Sequence, residues 1–372
     1  MGEREKEPHT GRSWGVAIRG AGQVAYQYAS AIAEDPYFTL VGVSSRTVES
    51  AERLAKQYGY PPSASRFGSE SVTSIKPLKV YPSYEALLQD PEVEVVILCM
   101  PNYLHAREAI LALEAGKHLI LEKPPVISYE ELGSLWNTYQ RVSTQRRVHT
   151  VVSFVLRWHP LVRILRSLLD RRAIGDIYYT EMDYWHGIKP TFSSYPWIRK
   201  GEYAGGSMIT GGCHAVDLAR YLKGEVAEVF AYSYRQREDF DYPTTLVATL
   251  RFQDGTVGKV SASLDGVSFP YQFNIDLLGS EGSIRGNKLY SSVLFPSQDR
   301  WVELPCSTPD SGSVSHHPFK EEVHEFSRSL AEGKSIQPDL MEGLLSMEVA
   351  LAITESARTG KPIQTGTLVT HR

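Results

Sequence analysis

Gly20-Ala21-Gly22-Gln23-Val24-Ala25 is the first stretch whose residue types and spacing imply a chemistry. Gly20 allows a tight turn, Gly22 lets the backbone approach a pyrophosphate, and Ala25 lets a helix pack closely on a strand. Backbone N–H groups at the helix start, around Gln23 and Val24, would then meet phosphate oxygens. The plainer alternative is a glycine-rich turn without a ligand; an apolar run before it and a helical pattern after it favour a dinucleotide. An acidic residue ~20 residues further on would hold the ribose 2′-hydroxyl of NAD. Ser44-Ser45-Arg46 stands there instead. Ser45 and Arg46 offer a hydroxyl and a guanidinium to a 2′-phosphate, with no carboxylate to repel it. NADP(H) is therefore the favoured cofactor, with NAD(H) left open; the plain alternative is a helix-capping serine before a solvated arginine.

A second dense stretch is Gly205-Gly206-Ser207-Met208-Ile209-Thr210-Gly211-Gly212-Cys213-His214-Ala215-Val216-Asp217. If it is helical, Thr210 and His214 at i, i+4 share a face. Asp217 could then orient the imidazole or cap the turn. Cys213 reads as a small packed residue, since no neighbour is placed to lower its pKa. Arg157-Trp158-His159, the Asp183–Gly187 stretch and the Tyr195–Lys200 loop combine arginine with aromatic rings. Guanidinium donors can hold hydroxyls and flat rings can cover sugar C–H faces, so Arg157, His186 and Trp197 are candidate polyol contacts. Each has a core or interface role as its plain alternative. His316-His317 with His324 is the main histidine concentration. No zinc-ligand spacing accompanies it and Pro318 suggests a solvated loop, so no metal is expected.

The elements that must position these residues follow from hydrophobic period. Trp14–Arg19, Phe38–Val43, Glu94–Met100 and His118–Leu121 are short apolar runs separated by helical patterns over Gln23–Ala33 and Leu104–Ala115, with a further helix from Tyr129 to about Thr144. Such alternation predicts a parallel sheet covered on both faces. Pro101-Asn102-Tyr103-Leu104-His105 and Glu122-Lys123-Pro124 then fall at carboxyl ends of parallel strands, where α/β sheets bind ligands. Beyond Val148 comes a helix over Leu161–Leu169, and then runs of alternating pattern over Asp176–Trp185, Val226–Gln236, Leu246–Phe252, Val257–Ser263 and Phe273–Leu278. These predict a large, mostly antiparallel open sheet, closed by helices over Glu321–Leu330 and Leu340–Arg358. The expectation is an α/β Rossmann domain over 12–148 followed by an α+β domain over 149–372.

The 372 residues suit two domains. Lys and Arg number 39 against 43 Asp and Glu, a net charge of −4, which gives no electrostatic footprint for nucleic acid. No stretch approaches the ~20 apolar residues of a membrane span. The polar stretch from Met1 to Ser13 reads as a leader rather than a signal peptide. Three scattered cysteines are too few for a disulfide framework. A cytoplasmic protein is expected, with no nucleic-acid or membrane partner.

GAGQVA, PNYLH, ALEAGKHLILEKP and GGCHAVD together resemble the Gfo/Idh/MocA oxidoreductases, from about Trp14 to Ile363. The resemblance implies that Lys123 sits near both nicotinamide and substrate, that Glu122 lies by the cofactor, and that Pro101, Asn102 and His105 line the cofactor side. It also implies a sheet-built oligomer, a homodimer or homotetramer. Removing hydride from an alcohol carbon requires the hydroxyl proton to leave too, so a lysine with a disfavoured ammonium form is a usable acid/base. Many family members carry Asp where this chain has Thr210. A threonine can hydrogen-bond the substrate or the imidazole, but it cannot raise the histidine pKa as a carboxylate would. The expectation is hydride transfer between nicotinamide and a secondary hydroxyl or keto carbon of a sugar, cyclitol or related polyol. Lys123 and His214 form its acid/base couple, with Thr210 positioning. Two rivals stay open: a cofactor-retaining enzyme that uses transient oxidation for glycoside cleavage or elimination, and a non-enzymatic NADP-binding sensor.

Overall fold

The computed structural model describes residues 12–58, 77–265, 271–309, 317–366 and 368. Most of the leader and His316 lie outside these. The first half winds as β1 (Trp14–Arg19), α1 (Gln23–Ala33), β2 (Phe38–Ser44), α2 (Val48–Tyr58), β3 (Lys79–Val80), α3 (Tyr84–Gln89), β4 (Val95–Leu98), α4 (His105–Glu114), β5 (His118–Leu121), α5 (Tyr129–Gln145) and β6 (Thr150–Val152). All of these strands run parallel, in the order β3-β2-β1-β4-β5-β6. Strand order therefore reverses between β1 and β4, which opens a crevice at their carboxyl ends. Val16, Ala17 and Ile18 are fully buried because helices cover both faces. Two of the helices are capped by serine side chains: Ser83 and Ser128 accept from the N–H groups of Ala86 and Glu131 at the heads of α3 and α5.

The second half begins with a 3₁₀ turn (Val155–Trp158) and α6 (Pro160–Asp170), then β7 (Ile177–Trp185), the short α7 (Tyr195–Ile198) and α8 (Gly201–Ala204), a π-helical turn (Met208–Gly212) and α9 (Cys213–Lys223). There follow β8 (Val226–Tyr234), β9 (Thr245–Phe252), β10 (Val257–Ser263), β11 (Gln272–Gly279), β12 (Gly282–Arg285), β13 (Lys288–Ser291), β14 (Val302–Glu303), α10 (Phe319–Glu332), α11 (Leu340–Thr359) and β15 (Ile363–Gln364). These strands form one nine-stranded sheet, β14-β13-β12-β11-β7-β10-β9-β8-β15. Among its described pairs only β7 with β10 is parallel. Along β9, Leu246, Ala248, Leu250 and Phe252 are buried while Val247 and Arg251 are exposed. Helices α9 and α11 cover the buried face. The other face is open, with Tyr232 73% and Tyr234 65% exposed.

Two features cross the expected boundary at 148. β6 carries the parallel sheet on to Val152. α10 returns to the first sheet, where Phe319, Val323 and Phe326 join Val16, Ile18 and Tyr28 in one buried cluster. α11 is buried nearly all round because it is wedged between α5, β8 and α9.

Candidate active site

The turn after β1 is built as its glycines require. Gly20 has φ +118°, and a Cβ there would lie 2.6 Å from the Cys99 carbonyl oxygen. Gly22 caps α1 without a side-chain hydrogen bond, and no acidic residue lies in the first turn. A Cβ on Gly22 would meet no atom within 4 Å. The space beside Gly22 at the head of α1 is thus open at the switch point, an arrangement that fits a dinucleotide pyrophosphate. Ser45, half-buried, accepts a hydrogen bond from the Ser50 hydroxyl at 2.9 Å, and Arg46 is exposed. Arg19, the last residue of β1, had no expected role. Its guanidinium donates twice to Glu108, at 2.7 and 2.8 Å, and once to Ser44 at 3.3 Å, so it ties the ends of β1 and β2 to α4.

Loops after β4 and β5 meet the π-helical turn of the second half. Asn102 Nδ2 donates to Thr210 Oγ1 at 2.8 Å and to the Ala204 carbonyl at 3.2 Å. Lys123 Nζ donates to the Thr210 carbonyl at 3.1 Å. Widening the helix to a π turn turns Thr210 toward the Rossmann loops, a distortion common where a helix carries a functional side chain. Close approach fixes Gly211, where a Cβ would stand 2.3 Å from the Tyr184 ring. Glu122 is buried, accepts from Tyr28 at 2.9 Å, and its Oε2 accepts from the Lys123 N–H at 3.2 Å. Burial raises its pKa, and the Lys123 charge opposes that rise.

His214 is 1% exposed and stacks on Tyr184, with ring centroids 5.9 Å apart at 25°. Phe154 and His317 flank it at 5.9 and 6.0 Å. Tyr271 lies 5.2 Å from His186 and 6.0 Å from His317, and Tyr184 Oη is 3.1 Å from His186 Nδ1. His186 and His214 therefore belong to one cluster of polar rings, completed by residues the sequence did not single out for the site. Tyr271 carries no sequence signal of its own, and His317, expected in a solvated loop, is half-buried here. Burial pushes the Cys213 thiol up to about 12, so it is un-ionised and packed, as its sequence surroundings suggest.

Four expectations change. Arg157 is engaged within the second half: its Nε and Nη2 donate to Asp217 at 2.8 and 2.7 Å in a buried pair, and it lies over Tyr221 at 4.6 Å. Asp217, expected to orient His214 or cap the turn, takes Arg157 and the Ser346 hydroxyl at 2.9 Å. His105, expected on the cofactor side, is buried with its two ring nitrogens 2.7 and 2.8 Å from the Pro124 and Met100 carbonyls. Burial, against the pull of these carbonyls, lowers its pKa to about 4. Trp197 is half-buried against the main core, and no described contact joins it to Lys123, Thr210 or His214. Pro101 precedes the 3₁₀ turn that carries Asn102. Among the described residues no group of three or more His, Cys, Asp or Glu side chains is placed to hold a metal ion, and no helix is long and apolar enough to cross a membrane.

A parallel sheet with an uncapped helix at its switch point, joined to an open-sheeted α/β half through lysine and asparagine contacts, defines a two-part dinucleotide-binding oxidoreductase. Residues 14–150 match the oxidoreductase family's NAD-binding Rossmann fold, and residues 166–365 match its C-terminal alpha/beta domain. The chain belongs to the Gfo/Idh/MocA oxidoreductase family. It is 28% identical to levoglucosan dehydrogenase of Pseudarthrobacter phenanthrenivorans, over 92% of this chain and 95% of that protein. It is 26% identical to scyllo-inositol 2-dehydrogenase (NAD(+)) of Bacillus subtilis, over 94% and 95%. A solved structure of levoglucosan dehydrogenase in complex with NADH and levoglucosan superposes with a TM-score of 0.80 at 23% identity, covering 95% of this chain and 99% of that one.

Proposed function

We propose that the chain is an NADP-favouring dehydrogenase acting on a secondary hydroxyl or keto carbon of a sugar, cyclitol or related polyol. The carrying observation is the clamp in which Lys123 and Asn102 both hold Thr210, one on its carbonyl and one on its hydroxyl oxygen. Bound at the head of α1, the nicotinamide cofactor would supply hydride acceptance or donation. Lys123 is the proton acceptor for the reacting hydroxyl, held in place by the Thr210 carbonyl. Because Thr210 Oγ1 accepts from Asn102, its own proton is directed to a second acceptor, the role of a substrate-positioning donor. His214 assists from the ring cluster, with His186 on the same wall. Pro101 and Glu122 border the cofactor, and Ser45 with Arg46 would select a 2′-phosphate.

Support for a polyol substrate comes from the names of the relatives and from the polar rings, which suit C–H faces and hydroxyls alike. We further propose that the open sheet face pairs with a second copy, as homodimer or homotetramer. The three free cysteines suit the expected cytoplasmic placement. The test is titration with NADPH and NADH, followed by turnover across levoglucosan, inositols and aldoses. Tighter NADPH binding, weakened about tenfold or more by Arg46→Ala, and turnover on some polyol are expected. Coenzyme that binds and turns over on no polyol would shift the reading to the internal-redox or sensor rival.

A further inference from the structure

Behind Lys123 four buried side chains from four elements form a continuous hydrogen-bonded chain. Glu122 follows β5, Tyr28 comes from α1, Ser153 follows β6 and Glu322 comes from α10. Tyr28 Oη lies 2.9 Å from Glu122 Oε1 and 2.7 Å from Ser153 Oγ, and Ser153 Oγ lies 2.8 Å from Glu322 Oε2. Tyr28 and Glu322 are fully buried, and Ser153 is 1% exposed.

Counting protons decides the charge of this chain. Three oxygen–oxygen contacts of hydrogen-bond length need three protons, one in each. The hydroxyls of Tyr28 and Ser153 supply two. With both carboxyls ionised, those two protons would point outward to Glu122 and Glu322, and the 2.7 Å contact between the hydroxyls would set lone pair against lone pair. The third proton must therefore sit on a carboxyl group. Glu122 is the poorer host, since its Oε2 accepts the Lys123 N–H and the Lys123 charge lies beside it. Glu322 is the better one, because its Oε1 has no hydrogen-bond partner among the described residues and a charge there would be left unsolvated.

The charged and titratable groups around Glu322 agree. From α1 Tyr28 reaches it through Ser153, and from the β5 loop it feels the like charge of Glu122 with Lys123 beyond. In the 3₁₀ turn Arg157 is engaged by Asp217. On α10 itself, Lys320, His324 and Glu325 pair outward with Glu34, Asp35 and Arg163. Burial first, and then the Glu122 charge, push the Glu322 carboxyl well above its ordinary range.

We propose that Glu322 is a neutral carboxylic acid at neutral pH and the proton-bearing end of a relay, Glu322–Ser153–Tyr28–Glu122, that lets the negative charge follow the protonation of Lys123. The relay rests on the reading of Lys123 as the proton-transfer residue. While Lys123 is an ammonium, the charge stays on Glu122. When Lys123 is neutral, the Glu322 proton passes to Ser153 Oγ, the Ser153 proton to Tyr28 Oη and the Tyr28 proton to Glu122. Three O–H bonds break, three form, and one negative charge moves from Glu122 to Glu322. Both glutamates are thus positioning residues that act through Lys123.

The protein without added coenzyme provides the direct readout. Its infrared spectrum with ¹³C-labelled glutamate should show a protonated-carboxyl stretch at neutral pH that Glu322→Gln removes, the amide still being able to donate to Ser153. Should that variant fail to fold, the same band in the wild type, persisting above the pH at which exposed glutamates ionise, carries the test by itself. In the pH profile of kcat/KM, Glu322→Gln pins the charge on Glu122 and should move the Lys123 limb upward by about 0.5–1 pH unit. Absence of the band in the wild type, or its persistence in Glu322→Gln, overturns the protonation. A lost band with an unmoved limb overturns the relay. A chain that oxidises no polyol but shows the band fails the functional reading, and the relay with it, while Glu322 keeps its proton.

Discussion

Replacing Arg157 with methionine leaves Asp217, whose side chain is 1% exposed, without its bidentate cation. Removing one partner of a buried ion pair costs about 3–5 kcal/mol, because the remaining charge is left desolvated. Lost contact with the Tyr221 ring adds about 1 kcal/mol. The Ser346 hydroxyl stays on Asp217 and offsets a part of this. Replacing both members, as Arg157→Met with Asp217→Leu, removes the stranded charge and should restore all but about 1–2 kcal/mol, since apolar pairs of similar volume often replace buried ion pairs without loss. Denaturant unfolding of the wild type, the two single variants and the double variant forms a cycle, and it should return a coupling energy of several kcal/mol. An unchanged KM for substrate is expected for whatever folded Arg157→Met protein remains. A stability loss below about 1 kcal/mol, combined with a raised KM, would return Arg157 to the substrate wall and refute the structural assignment.

The two glycines of the phosphate turn should separate fold from binding. Gly22→Ala, with φ −81° and open space at the Cβ, should leave the melting temperature in place and weaken dinucleotide binding about tenfold or more, read by coenzyme fluorescence titration. Gly20→Ala, at φ +118° against the Cys99 carbonyl, should cost about 1–3 kcal/mol even without ligand. For His105 the folded-state pKa lies below the ordinary 6.5, at about 4. The unfolded chain therefore binds a proton first: the stability tied to this group is full above pH 6.5 and is lost as pH falls toward about 4. His105→Gln should flatten the acid limb of melting temperature against pH, and parallel curves would contradict this. Charged residues at Tyr232 and Tyr234 on the open sheet face should lower the assembly state seen by light scattering while leaving coenzyme binding in place.

Much of this architecture was legible in the sequence because burial on both faces writes itself as continuous apolar runs. Trp14–Arg19 and His118–Leu121 coincide with observed strands to the residue. Strands β12 to β15 were not, because they are two to four residues long and carry too few positions to show an alternation. α2 was missed although Ala51, Leu54 and Ala55 fall on one face, since polar and charged residues together outnumber the apolar ones in it. The phosphate turn was readable from its glycine spacing together with the apolar run before it and the helical pattern after it. The partners of Arg157 and His105 were not, because an arginine bound for a buried carboxylate and one bound for a hydroxylated ligand look alike in sequence; only the fold brings Asp217 within 2.7 Å. His317 and Tyr271 were invisible as site residues for the same reason, since no periodic signal in the sequence around them points to the ring cluster.

Lys123 is the residue on which the proposed proton transfer depends. Coenzyme reduction by the wild type and by Lys123→Met, measured on the polyol the wild type oxidises and alongside coenzyme binding, tests it directly. The prediction is a fall in kcat of about 10²–10⁴, with binding of the dinucleotide retained. Turnover in Lys123→Met equal to that of the wild type would contradict the account.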